Sequence, residues 1–402
     1  MLRTVWEMAA GVACGLSLPL FTDLALVVAG NVKIVLRPVR ISEHRRRNGL
    51  LGVVIPAHNE APMIGHTVHS VAASAKVSGS DRVKIFVIAH NCTDETAAAA
   101  KAAEAQVIEV NDDGRDGKSA ALRAGFDYAR GQGCSAFVVV DADSTVSLNF
   151  VSAMQDALAL GAEALQCRYE QTACQGAAVS SAQRLRMLAF RGMNVVRGRG
   201  RAALGLSCGI FGNGFALRAS LLERVPYEAR SIAEDLEHHV ELVTQGCVVR
   251  WVDAAQVTAG LAETKAAHDS QETRWEGGRL RVVWSAGPQL LRPALRGNLR
   301  ACEALLAVLS LPFSLGVAMA FLSVALPVAW SRKYGLICLG ISGLYVAMAA
   351  QMSAEPVREW LALGAAPALV LRKLMLAPRI VAQAGKRVMW VRTGRERAHD
   401  GR

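Results

Sequence analysis

The sequence predicts an α/β domain on a doubly wound sheet, held between membrane helices at its two ends. Three observations predict it. Strand-like apolar runs alternate with helical ones through the middle of the chain, two acids stand directly after one buried strand, and both ends are long apolar stretches with few charges. With 402 residues the chain is long enough for two or three domain-sized units.

Residues 8–36 are apolar apart from Asp23 and Lys33. That is too long for the apolar part of a secretory signal, so residues 1–36 read as an uncleaved anchor. The cluster Lys33, Arg37, Arg40, Arg45, Arg46 and Arg47 makes 37–49 a basic juxtamembrane linker. By the positive-inside rule it holds the next domain in the cytoplasm.

From Leu50, "LLGVVIPAHNE" is a strand running into a loop, and residues 61–77 follow as a helix with Ile64, Val68 and Val71 on one face. "VKIFVIAHNCTDET" repeats the pattern, with an alanine-rich helix from Thr93. Residues 106–110 form a short strand, 119–130 a helix, and 137–140 a strand apolar enough for the centre of a parallel sheet. The whole soluble domain is expected over 50–281.

Residues 282–300 continue as an interfacial amphipathic segment, basic and aromatic by turns. The run 301–330 holds one charge, Glu303, and exceeds the roughly 20 apolar residues that cross a bilayer, so it is expected as the most secure span. Residues 335–352 make a second candidate, and 360–377 a third that Arg372 and Lys373 interrupt. The region 301–377 is thus transmembrane or interfacial, and 378–402 a basic cytoplasmic tail; Arg332 and Lys333 fall on the opposite side in this topology.

The formal net charge of +11 lies beside apolar segments, where anionic headgroups explain it more simply than nucleic acid does. Membrane lipids are the expected partner and nucleic acid is not. Nine cysteines without CxxC spacing indicate neither a zinc site nor a disulfide framework.

Asp141 and Asp143 end the strand of "FVVVDADS", at the sheet edge where open α/β folds bind ligands. Two apart on extended chain, they project to one side, as Mg²⁺ or Mn²⁺ held against a diphosphate requires. A strand-end turn with two solvated acids is the alternative. "GRDGKSAAL" ends like a phosphate-binding P-loop, but Asp112 stands where that motif needs glycine. Lys118 at a helix start still favours an anion.

The ordered series "PAHNE" at 56–60, "HNCTDET" at 90–96, "GKSAALRAG" at 117–125, "DAD" at 141–143, "GNGFALR" at 212–218, "AEDLE" at 233–237 and "QETRW" at 271–275 resembles the family 2 glycosyltransferases, and within them the membrane-attached β-glycan synthases of the cellulose, chitin and hyaluronan kind. The resemblance implies a GT-A nucleotide-sugar fold, here with membrane helices at both ends. It also implies inverting transfer from a nucleoside-diphosphate sugar, with Mg²⁺ or Mn²⁺. Asp235 would be the catalytic base. Pro56, His58, Glu60, His90, Asn91, Asp94, Lys118 and Asp141 would bind the nucleotide sugar, Asp143 with Asp141 the metal. Gly212, Asn213, Gly214, Glu234, Gln271, Arg274 and Trp275 would line the acceptor site.

Two departures stand out. Where many members of that family carry a base-reading aspartate, this chain has His90, whose imidazole can still hydrogen-bond a uracil edge. The spans after the domain are also few for an enclosed polymer channel. A short glycan on a lipid, or an export partner, are the alternatives.

The expected protein is therefore an integral inner or plasma membrane enzyme acting on a glycan or lipid-linked acceptor, in exopolysaccharide or glycolipid synthesis. A sugar-1-phosphate nucleotidyltransferase would need a glycine-rich, arginine-containing loop where "PAHNEAPMIG" stands. A non-catalytic nucleotide- or glycan-binding subunit of a membrane synthase is the alternative from a different class.

Overall fold

The computed structural model describes residues 2–36, 49–113, 117–173, 179–229, 231–261 and 264–384. Arg37, Arg40, Arg45, Arg46 and Arg47, and the tail after 384, lie outside the described residues.

The strands are β1 (Leu50–Ala57), β2 (Val83–His90), β3 (Gln106–Val110), β4 (Cys134–Val139), β5 (Ser144–Val146), β6 (Ala164–Thr172), β7 (Phe215–Arg218) and β8 (Val249–Gly260). Helices begin with α1 (Leu2–Leu36), α2 (Ile64–Val77), α3 (Thr96–Ala102), α4 (Gly117–Gly131) and α5 (Phe150–Ala159). They continue with α6 (Ser181–Arg191), α7 (Arg197–Ala203), α8 (Ala219–Arg224), α9 (Glu234–Thr244) and α10 (Lys265–Leu295). The last five are α11 (Leu299–Leu309), α12 (Phe313–Ala325), α13 (Ala329–Gln351), α14 (Pro356–Ala362) and α15 (Ala366–Ala384).

Two compact units divide the chain. The larger holds all the strands in one sheet of order β3-β2-β1-β4-β7-β6-β8-β5. β1 pairs in parallel with β2 and β4, and β2 with β3, so the carboxyl ends of these four strands share one edge. β7 runs antiparallel to both β4 and β6, which makes the sheet mixed. Val53, Val54, Ile55, Phe86, Val87, Ile88, Phe137 and Val138 are wholly buried, which explains why these strands read as continuous apolar runs.

Between β6 and β7 the chain leaves this unit, and Val179–Leu206 joins the other one with Met1–Val39 and Arg279–Ala384. The excursion starts cleanly: Ser180 and Gln183 close a reciprocal capping box at the head of α6. A π-turn over Gly192–Val196 links α6 to α7.

α1 and α13 are long and apolar enough to cross a membrane. The run 301–330 is not one straight span. It forms α11 and α12, bent by 89° at their break, because Pro312 has no N–H with which to continue a helix.

Charges inside this unit are matched. Asp23 of α1 accepts from Arg197 Nε at 2.7 Å and from Arg201, while Arg201 also pairs with Glu303 of α11 at 3.2 Å. All four side chains are buried, and Arg201 is fully so. Asn31 of α1 adds a donor to the Val196 carbonyl at 2.9 Å.

Candidate active site

The carboxyl end of β4 organises the centre of the larger unit. Asp141 follows it and accepts from Lys118 Nζ at 2.5 Å, while the same ammonium donates to the Gly212 carbonyl at 2.8 Å. Lys118 lies in the first turn of α4, as expected for a cation brought to this edge. Thr67 of α2 donates to the Ala142 carbonyl at 2.8 Å and so fixes the turn between Asp141 and Asp143. Ser144 Oγ stands 3.4 Å from Asp143 Oδ1.

The loop before β7 closes over this end. Gly212 and Gly214 have φ of +75° and +69°, and a Cβ on Gly214 would lie 2.3 Å from Cys167 Sγ, so neither conformation nor space admits a larger residue there. Asn213 is fully buried, accepts the Asp141 N–H at 3.1 Å and donates to Ser144 Oγ at 2.8 Å. A Cβ built on Gly212 would sit 3.3 Å from Asp235 Oδ2 and 3.9 Å from Lys118 Nζ. Lys118, Asp141, Gly212 and Asp235 therefore meet in one place.

Glu234 and Asp235 open α9. Burial pushes the Glu234 carboxyl up to about 8 against the pull of Lys118, with Asp235 and Asp141 adding to the rise. Asp235 is raised as well, first by burial. Burial alone would lower Lys118, but Asp141 and Glu234 outweigh it and hold the ammonium firmly charged. The cluster can thus accept a proton at Asp235 beside a fixed cation.

A second group occupies the ends of β1, β2 and β3 on the same edge. His58 Nδ1 lies 2.8 Å from the His90 carbonyl, the Glu60 N–H donates to Thr96 Oγ1 at 2.8 Å, and Asp94 accepts the Ala61 N–H at 3.1 Å. Pro56 is buried within β1. His90 does not face solvent: it is 1% exposed, with Nε2 2.9 Å from Asp112 Oδ2. Asn91, at φ +49°, donates to the other Asp112 oxygen at 3.0 Å and accepts its N–H at 2.9 Å. Sequence reading used Asp112 only to reject a P-loop. Its position two residues past β3 was the available signal.

Gln271, Arg274 and Trp275 lie together on α10, Gln271 buried and Trp275 exposed. Gly278 packs this helix against the residues just before Glu234: a Cβ there would meet Ile232 Cγ2 at 2.4 Å and Ala233 Cβ at 3.1 Å. The same helix also carries His268, Asp269 and Glu272, whose ligand atoms lie within 4.8 Å of one another. Their spacing of one and four along a helix was legible but not drawn out.

Residues 52–224 match the family model of glycosyl transferase family 2. That stretch, less than half of the chain, is what resembles family 2 glycosyltransferases. The fold is GT-A, which the first of the following solved structures supports. A mannosyltransferase from Pyrobaculum calidifontis, in complex with GDP-Man and Mn²⁺, is 17% identical with a TM-score of 0.53, over 94% of this chain and 98% of that one. The glucosyl-3-phosphoglycerate synthase from Mycobacterium tuberculosis, in complex with Mn²⁺, UDP and its glucosylated product, is 18% identical with a TM-score of 0.41, over 62% of this chain and 87% of that one. No curated protein matches the sequence.

The larger unit contains a pH signature. Glu234 ionises near the ordinary 4.5 when unfolded and near 8 when folded, so between these values the native state keeps a proton that the unfolded state has released. Stability falls as pH rises through that window, and the loss is complete above it. Glu234→Gln removes the Glu234 share of that slope and leaves the smaller part due to Asp235. Thermal melts of wild type and variant should coincide near pH 4.5 and separate in the variant's favour toward pH 8; parallel curves would contradict the assignment.

Proposed function

We propose that the chain transfers a hexosyl group, with inversion, from a nucleoside-diphosphate sugar to a glycan or lipid-linked acceptor at the cytoplasmic face of the membrane. On this reading the donor is a UDP-sugar and the product an exopolysaccharide or glycolipid, in the manner of the β-glycan synthases. One observation carries it: Lys118, Asp141, Gly212 and Asp235 converge at the carboxyl end of a parallel strand, in and beside the stretch that resembles family 2 glycosyltransferases.

Each residue takes a role its surroundings support. Asp235 accepts the proton of the acceptor hydroxyl, and its raised affinity for protons suits that work near neutral pH. Glu234, protonated beside it, can donate a hydrogen bond to the acceptor. His58, Glu60, His90, Asn91 and Asp94, with Pro56 in the strand behind, form the nucleotide side. Because Asp112 engages both His90 and Asn91, base recognition is built on that trio rather than on an aspartate at position 90. Gly212, Asn213, Gly214, Gln271, Arg274 and Trp275 form the acceptor side; an indole offers a flat face to a sugar and a guanidinium pairs with phosphate.

The donor set at the DAD turn suits Mg²⁺ or Mn²⁺, because Asp143 and the second oxygen of Asp141 are hard oxygen ligands on a turn fixed from behind by Thr67. A cation bound there supplies positive charge to the departing diphosphate. Lys118 supplies more from the protein itself. Membrane helices α1 and α13 keep the domain with its lipid surroundings, and α10 lies as an interfacial helix with Trp284 outward.

Asp143→Ala tests the metal side. It should leave the protein folded and weaken Mn²⁺-dependent donor binding by more than the roughly 10–100-fold that supporting changes around a metal cost. Unchanged binding in a titration calorimeter would remove Asp143 from the site.

A further inference from the structure

We propose that Gln166 is a positioning residue that holds Asp141 and Asp143 in place for the metal, acting through Asn213. The inference rests on the metal reading given above. Gln166 lies on β6, fully buried, and directs most of its amide to one loop. Its oxygen accepts the Phe211 N–H at 3.0 Å; its nitrogen donates to the carbonyls of Asn213 at 2.8 Å, Cys167 at 3.0 Å and Gly214 at 3.3 Å. A backbone N–H can meet only the oxygen, so the orientation of the amide is fixed.

The loop needs such a partner. Gly214 still bonds both neighbours, its N–H to the Val139 carbonyl and its carbonyl to the Cys167 N–H, each at 2.9 Å, but residues 211–213 lie beyond the β7 ladder with Gly212 left-handed, and the side-chain amide takes the Phe211 N–H and the Asn213 carbonyl there. Asn213 then carries the position forward: Oδ1 to the Asp141 N–H and Nδ2 to Ser144 Oγ, which in turn reaches Asp143 Oδ1. Every link is buried or half-buried. The path runs from Gln166 to Asn213 and ends on both acids of the DAD turn, and the same loop offers Lys118 the Gly212 carbonyl.

A purely structural amide would affect melting and leave metal affinity alone. The test therefore reads Mn²⁺ directly: the free-Mn²⁺ signal in electron paramagnetic resonance, with the full chain in detergent and either UDP or GDP present. Wild type, Asp143→Ala, Gln166→Met and Ser144→Ala are compared, each first shown by thermal melt to be folded at the assay temperature. Gln166→Met keeps length and removes all four hydrogen bonds. It should raise the Mn²⁺ dissociation constant by roughly 10–100-fold, the usual cost of losing support around a metal, with Ser144→Ala shifted the same way. Should Gln166→Met fail to fold, Ser144→Ala decides alone. Loss of binding in Asp143→Ala together with wild-type affinity in the folded Gln166 or Ser144 variant overturns the positioning role. Wild-type binding in Asp143→Ala overturns the metal reading, and the inference with it.

Discussion

Asp235→Asn should abolish sugar transfer while leaving donor binding at the wild-type level. The substitution keeps size and hydrogen-bonding shape but removes the basic oxygen, so it isolates proton acceptance from packing. General-base help contributes about 10²–10⁴ in rate, and the loss in kcat should fall in that range. Donor affinity should hold because the nucleotide side is built on β1 to β3, and Lys118 is hydrogen-bonded by Asp141 and the Gly212 carbonyl, which the variant keeps. Equilibrium binding of the nucleotide beside single-turnover transfer separates the two. A variant with wild-type turnover would assign the base elsewhere, and Glu234 would be the next residue to change.

Asp23→Ala should cost the second-largest effect, on stability rather than rate. Asp23 neutralises two buried guanidiniums, Arg197 and Arg201, and Glu303 pairs with the second. Removing one partner of a buried ion pair leaves a charge without compensation and costs about 3–5 kcal/mol. Thermal unfolding of the detergent-solubilised chain should show a large drop in midpoint. Arg197→Met in the Asp23→Ala background should recover part of it, because the orphaned charge is then gone. A melt indistinguishable from wild type would mean that the network is not closed as the structure has it.

That network also shows where sequence reading stops. Asp23 and Glu303 stood out as lone charges in apolar runs, yet their partners lie 174 and 102 residues away along the chain, in an arginine- and glycine-rich stretch that periodicity does not assign. The excursion of Val179–Leu206 into the helical unit brings them together. The proline at 312 was visible, but apolar composition outweighed it, and a run long enough to cross a bilayer proved to be two helices.

The sheet was far more legible. β3 falls on its expected residues, and the acids of "DAD" stand at the carboxyl end of β4, because a buried parallel strand writes its own apolar run into the sequence. Lys118 and Asp235 were named from motifs; that they share a pocket with the Gly212 carbonyl is a matter of tertiary approach. The pairing of Asp112 with His90 and Asn91, and the role of Gln166, were not legible for the same reason. Each acts on a neighbour that the fold supplies.

The most direct measurement is release of nucleoside diphosphate from a panel of UDP-, GDP- and dTDP-sugars by the purified chain in nanodiscs, with Mg²⁺ or Mn²⁺ and a membrane extract as acceptor source. The expected result is metal-dependent release from one donor class by the wild type and none by Asp235→Asn. Intact nucleotide binding with no release from any donor would contradict transfer, and would make the chain a nucleotide-binding subunit instead.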